Sequence, residues 1–448
     1  MKLKILHITA SYKPAYIYGG PIQSVGKLCE GLAERKGQRA ESGKLKAESS
    51  KLKVESKKWK VESEKFNLEV FTTTANGRNE LSLEAGKPVL VDGVPVNYFK
   101  RWTKDHSHFS PGLLWRLSKV LRQAQHDKLV IHIHAWWNLV SVLSCLVAKW
   151  HSVPVVLSPR GMLTKYSQYN RNSLAKRIIH HSIGKRLLRY CHIHTTSEQE
   201  KQDVLQLVQP KSITMIPNLV RLEGEKSKEQ RVRNKYDEEK WLDARNLNTK
   251  SRGAIHTLTF KLLFLSRIEE KKGLELLFEA IAKLDLAYEL TIAGSGEEDY
   301  IKSLKLKAES LMLGKRVKWI GQVSNLEKFS VMADHDLLVL PSYNENFANV
   351  VIECLNTGTP VLVSEYVGLA DYVKTNNMGW VCSLEPNDIA QKISDAYINV
   401  VKRESITHSA PILIKSDFND EVLVKRYMEL YKRVLRQTYD DNTESKTI

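Results

Sequence analysis

PSYNENFANVVIECLNTGTPV, residues 341–361, is the stretch whose reading decides the fold class. The apolar run Leu337–Leu340 just before it reads as a buried strand that stops at Pro341. A polar loop carrying Glu345 follows, and a helix begins near Ala348 with Glu353 about a turn and a half inside it. A strand that passes through a short loop into a helix sets backbone N–H groups at the mouth of a sheet, which attracts anions. Glu345 and Glu353 would then reach different parts of one ligand. A carboxylate is suited to accept two hydrogen bonds from a vicinal diol, such as a ribose or hexose edge. Taken alone, the pair reads as well as two solvated glutamates beside an amphipathic helix.

Working outward, the same alternation fills the second half of the chain. Phe260–Leu265, Glu289–Ala293, Val317–Ile320, Val361–Val363 and Trp380–Cys382 are strand-like, with helical patterns between them. The first half repeats it, with candidate strands Leu3–Thr9, Leu68–Thr73, Val94–Phe99, Leu129–His134, Val153–Leu157, His192–Thr196 and Ser212–Ile216. Helical stretches there are Pro21–Glu34, Pro111–Gln125, Leu139–Trp150, Ser173–Arg189 and Glu198–Leu207. Strict alternation implies an α/β chain with parallel sheets covered on both faces. The polar segment Arg221–Arg252 separates the halves. The expected organisation is a first Rossmann-like domain over 1–220, a linker over 221–252, a second such domain over 253–418, and a closing helix and tail over 419–448. Two doubly wound domains facing each other would enclose a cleft at the carboxyl ends of their strands.

Residues 41–66 break the scheme with a seven-residue repeat, ESGKLKA, ESSKLKV, ESKKWKV and ESEKF. Its apolar positions are spaced two and five apart, and a coiled-coil seam needs three and four. The repeat therefore reads first as a tolerated insertion in a surface loop, partly helical or mobile, and second as a partner-binding or membrane-touching arm.

At 448 residues the chain is long enough for two domains, and its charged and apolar content is that of an ordinary globular protein. The opening MKLKILHITA reads as a first strand rather than a signal peptide. No stretch approaches the roughly 20 apolar residues needed to cross a bilayer. Five cysteines without paired spacing point to reduced thiols and a cytoplasmic setting. The net charge of +17 is concentrated: Lys128 to Ser197 holds ten Lys or Arg and no Asp or Glu. Such a field draws polyanions, whether nucleic acid, anionic lipid or a phosphorylated substrate.

Two more loops gather at strand ends in the second half. SRIEEKKG places Arg267 and Lys272 after Phe260–Leu265, where two cations would neutralise a diphosphate without a metal. TIAGSGEE places Gly294 and Gly296 after the next strand, a weak signal alone because glycines end strands routinely. Histidines at 132, 134, 192 and 194 fall in i,i+2 pairs on predicted strands, but no carboxylate or cysteine grouping completes a metal site. They read as core or strand-end residues, and His134, at a carboxyl end, is placed to reach an acceptor. The helix expected over 172–190 has a basic face suited to an anionic membrane surface.

Together SRIEEKKG, IAGSGEE, VKWIGQV and PSYNENFANVVIECLNTGTPV resemble glycosyltransferase family 4, of the GT-B fold, bacterial surface-polysaccharide type. The two glutamates match that family's E-x7-E motif, and the resemblance covers nearly the whole chain. YGGPIQSV, HIHAWW, SPRGML, TTSEQE and IPNL match in the first half, and DFNDEVLVKRYMELYKRVL matches the C-terminal helices, the last of which usually crosses back to the N-domain. The resemblance implies an acceptor-binding first domain and a nucleotide-sugar-binding second domain. It assigns Arg267 and Lys272 to the donor diphosphate and Glu353 to the ribose. Glu345, with the backbone of Asn346, Phe347, Ala348, Asn349 and Val350, is assigned to the transferred sugar, with Gly294 and Gly296 also on the donor side. Val323 matches a position where the base packs, and Gly19 and Gly20 a loop near phosphates or acceptor.

It further implies retention of configuration, no metal and no cofactor beyond the nucleoside-diphosphate sugar itself. The acceptor would be a glycan or a lipid-linked glycan. Many members carry a histidine after Ser-Pro where this chain has Arg160, which donates hydrogen bonds but does not act as a base. The implied enzyme is cytoplasmic, peripheral on the inner face of the plasma membrane through 172–190. An inactive GT-B partner subunit and a basic nucleic-acid-binding protein are the competing readings. The first is opposed by the retained Arg267, Lys272, Glu345 and Glu353, and the second lacks any usual binding motif.

Overall fold

Leu3–Thr9 form β1, buried along nearly its whole length because the sheet around it is covered on both faces. In this computed structural model, residues 3–48, 66–123, 128–164, 180–222, 259–325 and 327–444 are described. The chain divides into two units, Met1–Leu219 with Phe418–Ile448, and Val220–Asp417.

The first unit is built on an eight-stranded sheet. After β1 come β2 (Phe66–Thr73), β3 (Pro88–Val91), β4 (Val94–Phe99), β5 (Lys128–His134), β6 (Val155–Ser158), β7 (His192–Thr195) and β8 (Ser212–Met215). Their spatial order is β8-β7-β6-β5-β1-β2-β4-β3. All neighbours are parallel except the β3–β4 hairpin at the edge. That hairpin was not expected, although its turn, Asp92-Gly93 with both φ angles positive, is a strong local hairpin signal. Chain order reverses at β1, which lies between β2 and β5 with Thr9 opposite His134. This is where doubly wound sheets bind ligands.

Each face of that sheet has its own core. On one, α1 (Gly20–Glu48) and α13 (Asp420–Glu444) bury Val25, Leu28, Leu32, Leu423, Tyr427 and Tyr431 against β1, β2 and β4. On the other, α2 (Pro111–Gln123), α3 (Leu139–Trp150), α4 (Lys185–Tyr190) and α5 (Glu198–Leu207) bury Leu117, Val140, Cys145, Leu187, Leu188 and Val204. Asn138 caps α3 by accepting from the Ser141 N–H at 2.8 Å, and Ser197 caps α5 through the Glu200 N–H at 3.2 Å. α1 does not stop at Glu34 as its sequence suggested but continues into the heptad region as far as Glu48. The remainder of that repeat lies outside the described residues, as do residues 165–179 and most of the expected linker.

The second unit repeats the principle with six parallel strands. These are β9 (Phe260–Leu265), β10 (Tyr288–Ala293), β11 (Val317–Gly321), β12 (Leu337–Leu340), β13 (Val361–Ser364) and β14 (Gly379–Cys382), in the order β11-β10-β9-β12-β13-β14. Chain order reverses between β9 and β12, paired at Leu262 with Leu337 and Leu263 with Leu338. The loops leaving these two strands carry Arg267 to Gly273 and Pro341 to Ala348, so the topology alone brings the candidate residues to one edge. The remaining helices are α6 (Leu274–Ile281), α7 (Glu298–Ser310), α8 (Glu327–Ala333), α9 (Asn349–Thr357), α10 (Ala370–Thr375), α11 (Pro386–Ile398) and α12 (Val400–Asp417).

Candidate functional site

In the second unit the loop after β9 turns through a short 3-10 segment, Glu270–Lys272, and enters α6 at Gly273. Gly273 is left-handed, with φ at 69°, and a Cβ there would stand 2.1 Å from the Pro341 carbonyl oxygen. Only glycine permits this approach. The Tyr343 N–H donates to the Lys271 carbonyl at 2.9 Å, which ties the two loops together. Lys272, itself buried, then forms an ion pair with the Glu345 carboxylate. Burial opposes ionisation of Glu345, but Lys272, Lys271 and Arg267 outweigh it and hold its carboxyl below the usual range. Burial, then the charge of Lys272, lowers the Lys271 ammonium in turn. Arg267 is half-buried and held at 2.5 Å by Glu269.

The Glu345 segment is fixed from its other side as well. Its N–H donates to Tyr366 O at 3.1 Å and its carbonyl accepts from Gly368 N at 2.7 Å. Ala348, left-handed with φ at 66°, turns the chain into α9, with Phe347 buried beneath it and Asn346, Asn349 and Val350 half-buried. Inside α9, Glu353 is 4% exposed and pairs at 2.6 Å with Lys328 of α8, which is equally buried. Burial still dominates and raises the Glu353 carboxyl above its ordinary value. Lys328 holds Oε1 of that carboxylate.

Sequence reasoning missed Lys328, yet a signal existed. It lies beside Phe329 and four residues before Met332, both buried on the inner face of α8, where a lysine is out of place unless paired. Lys271 was missed because nothing in the run EEKKG distinguishes one lysine from the next.

Gly294 and Gly296 have a packing role. A Cβ on Gly294 would meet Ser266 O at 1.8 Å, and one on Gly296 would meet Ile268 O at 2.2 Å. The Ile268 N–H donates to Ser295 O at 2.8 Å, so these glycines let the β10 loop lie flat against the loop that carries Arg267. Val323 follows Gly321 at the end of β11 and is half-buried.

In the first unit, Gly19 has a φ of 71°, whereas a Cβ on Gly20 would meet open space. Arg160, in the left-handed region at 57°, sends its guanidinium inward. It donates to Asn218 Oδ1 at 2.6 Å, to Ser24 Oγ at 3.0 Å and to His134 Nδ1 at 3.3 Å. His134 is 2% exposed, and its Nε2 lies 2.9 Å from His7 Nδ1. The acceptor contact expected of Arg160 and His134 therefore requires these bonds to be exchanged.

The donor-only guanidinium fixes the tautomers around it. His134 accepts at Nδ1, so its proton sits on Nε2 and is donated to His7. A second chain runs from the Tyr431 hydroxyl to His132 Nδ1 at 2.8 Å, then from His132 Nε2 to Ser158 Oγ at 2.7 Å. It continues from Ser158 to His194 Nδ1 at 2.6 Å and ends at Ile216 O, 2.9 Å from Nε2. Nitrogens of His7, His132 and His134 come within 4.8 Å of one another, but both nitrogens of His132 and His134 are engaged in these bonds.

Burial favours the neutral form of all four imidazoles. Burial, followed by the charge of Arg160, pushes His7 and His194 down to about 3. Burial, then the proximity of the other buried histidines, lowers His132, and burial, then the charge of Arg160, lowers His134. A folded-state pKa below the unfolded value near 6.5 means the unfolded chain binds more protons as the pH falls. Stability is then full above pH 6.5 and is lost on acidification towards 3. At pH 5 His7 and His194 are each expected to cost about 2 kcal/mol, and His132 and His134 act in the same direction. Thermal unfolding followed from pH 7 to pH 5 should show a steep fall in midpoint, reduced in His194→Gln.

Residues 62–219 match the Glycosyl transferase 4-like domain, and residues 248–411 match Glycosyl transferases group 1. An uncharacterized glycosyltransferase of Methanocaldococcus jannaschii is 30% identical over 175 residues, 38% of this chain and 44% of that protein. Glycogen synthase of Mycobacterium tuberculosis is 26% identical over 304 residues, 66% of this chain and 65% of the relative. The chain thus spans between 44% and 65% of the length of these relatives. Among solved structures, HepE of Anabaena in complex with UDP and glucose superposes with a TM-score of 0.64 at 19% identity, covering 96% of this chain and 99% of that one. That likeness establishes the GT-B fold.

Proposed function

We propose that this chain, built from a glycosyl transferase 4-like domain followed by a glycosyl transferases group 1 domain, moves a sugar from a nucleoside-diphosphate sugar to a glycan or lipid-linked acceptor. The observation that carries the reading is the cluster of Arg267, Lys271 and Lys272 around Glu345, at the carboxyl ends of β9 and β12. Three cations and the start of α9 on one sheet edge suit a diphosphate. Glu353, held at Oε1 by Lys328, keeps its other oxygen for the ribose diol. Glu345 and the Asn346–Val350 backbone hold the transferred sugar.

The transfer proposed retains configuration. The bond from the sugar's anomeric carbon to the diphosphate breaks, the acceptor oxygen bonds to that carbon on the same face, and the acceptor proton goes to a departing phosphate oxygen. Negative charge then grows on the diphosphate, and Arg267, Lys271 and Lys272 stabilise it. Those cations do the work of a divalent ion, so we propose that no metal is needed. The acceptor is assigned to the first unit, at the Gly19–Ser24 segment that Arg160 holds. The pathway proposed is surface-polysaccharide synthesis, at the cytoplasmic face of the plasma membrane.

The test is a thermal-shift panel of UDP, GDP and ADP with their sugar conjugates, run with and without EDTA. One nucleoside diphosphate at about 100-fold its dissociation constant should stabilise the protein by about 2.7 kcal/mol in EDTA. A response abolished by EDTA would remove the metal-free mechanism. No response to any diphosphate would remove the donor site and bring the partner-subunit reading forward.

A further inference from the structure

The outer surface of the α2–α3–α4 layer does not look like an ordinary solvated face. These helices lie over the same core, to which they contribute Leu117, Cys145 and Leu187. Ser118 of α2 lies 3.3 Å from His151, at the end of α3. Lys149 of α3 stands 5.9 Å over the Tyr190 ring of α4, whose hydroxyl donates to Val153 O at 2.7 Å. Trp115 on α2 is 68% exposed and Trp150 on α3 is 84% exposed. Surface tryptophans this open forgo most of the burial that an indole normally gains.

Basic groups are exposed on the same helices. Lys119 and Arg122 are exposed on α2, on the side that shows Trp115, and Lys119 lies 5.4 Å over that ring. Lys149 is exposed on α3, and Lys185, Arg186 and Arg189 are exposed on α4. None of the three helices contains an Asp or Glu. Among the described residues, no helix is long and apolar enough to cross a membrane.

We infer that this surface docks on an anionic lipid bilayer. Indoles settle at the level of the headgroups, with their apolar bodies inward and N–H groups wet. Cations spread over three helices gain from a continuous anionic surface that needs no matching register. The absence of carboxylates removes the repulsion that would otherwise oppose it. This binding is independent of the transfer reaction, and it joins the basic residues of α4, the described end of the helix expected over 172–190, to those of α2 and α3.

The experiment is co-sedimentation of the full chain with phosphatidylcholine vesicles, with and without phosphatidylglycerol, across a salt series. Binding is expected only to the anionic vesicles and should weaken as salt rises. Trp115→Ser with Trp150→Ser should weaken it about tenfold. Lys119→Gln with Lys149→Gln should weaken it about 25-fold, roughly fivefold for each cation. Both double variants should keep the wild-type thermal midpoint and diphosphate response, because none of these residues belongs to the donor site. Failure of the wild type to bind anionic vesicles would overturn the inference, as would unchanged binding by both double variants. So would duplex DNA displacing the vesicles from wild type and variants alike.

Discussion

Lys272→Ala is expected to lower kcat/KM by about 10²–10³-fold, the effect of removing one preorganised charge from a developing anion. The loss should fall on kcat as well as on donor affinity, because charge on the diphosphate is greatest as the sugar leaves. A second readout separates this role from simple damage to the loop. Glu345 is held below the normal carboxyl range against the effect of its own burial, mainly by Lys272. With the lysine gone, burial is opposed only by Lys271 and Arg267, and the carboxyl should protonate at higher pH. The acid limb of the residual pH–rate profile should therefore move upwards. Lys272→Arg should restore the position of that limb better than it restores the rate, since a guanidinium supplies charge with different reach. An unchanged acid limb in Lys272→Ala would detach Lys272 from Glu345 in solution.

The other large effect is expected on stability. Lys328→Met leaves the Glu353 carboxylate buried without its cation, and breaking a buried pair from one side costs about 3–5 kcal/mol. For a domain of this size that is a fall of roughly 10 °C in the midpoint of the second unit. The deficit should depend on pH. Glu353 already titrates above its ordinary value, and losing Lys328 raises it further, so the folded state takes up a proton more readily than the unfolded chain. The variant should then recover stability as the pH falls, by up to about 1.4 kcal/mol per pH unit, until the unfolded carboxyl also protonates. A deficit that does not change between pH 7 and pH 5 would mean lost packing rather than a stranded charge. Lys328→Met combined with Glu353→Leu should regain most of the stability while leaving the diphosphate response weak.

Much of this arrangement was legible in the chain because it rests on local patterns. Thirteen runs were read as strands, and each overlaps a strand of the two sheets, because sheets covered on both faces demand largely apolar runs. The carboxyl-end loops followed from the same pattern, since a strand that must enter a helix exposes its turn. The missing parts depend on contacts between distant residues. Nothing near Arg160 in sequence shows that Asn218, Ser24 and His134 will surround its guanidinium. The spacing of Glu345 and Glu353 was plain, but their partners, Lys272 and Lys328, lie on other elements. The packing contact of the β10 loop glycines was not legible, because close approach to a phosphate and close approach to a neighbouring backbone demand the same missing Cβ.

The histidine chain has one link that matters beyond the folded state. Its first donor, Tyr431, sits on α13, which follows the entire second unit in the sequence but packs into the first. A ribosome therefore releases β1 to β8 long before it supplies the helix that covers them. During that interval His132 has no Tyr431 hydroxyl to accept from, and the apolar side of β1 and β2 lacks the cover that Leu423, Tyr427 and Tyr431 give it. The second unit, contiguous from Val220 to Asp417, has all its parts earlier and can close first. The order of folding during synthesis is then the reverse of the order in which the domains begin, and a nascent chain held before Asp420 is a natural client for a chaperone.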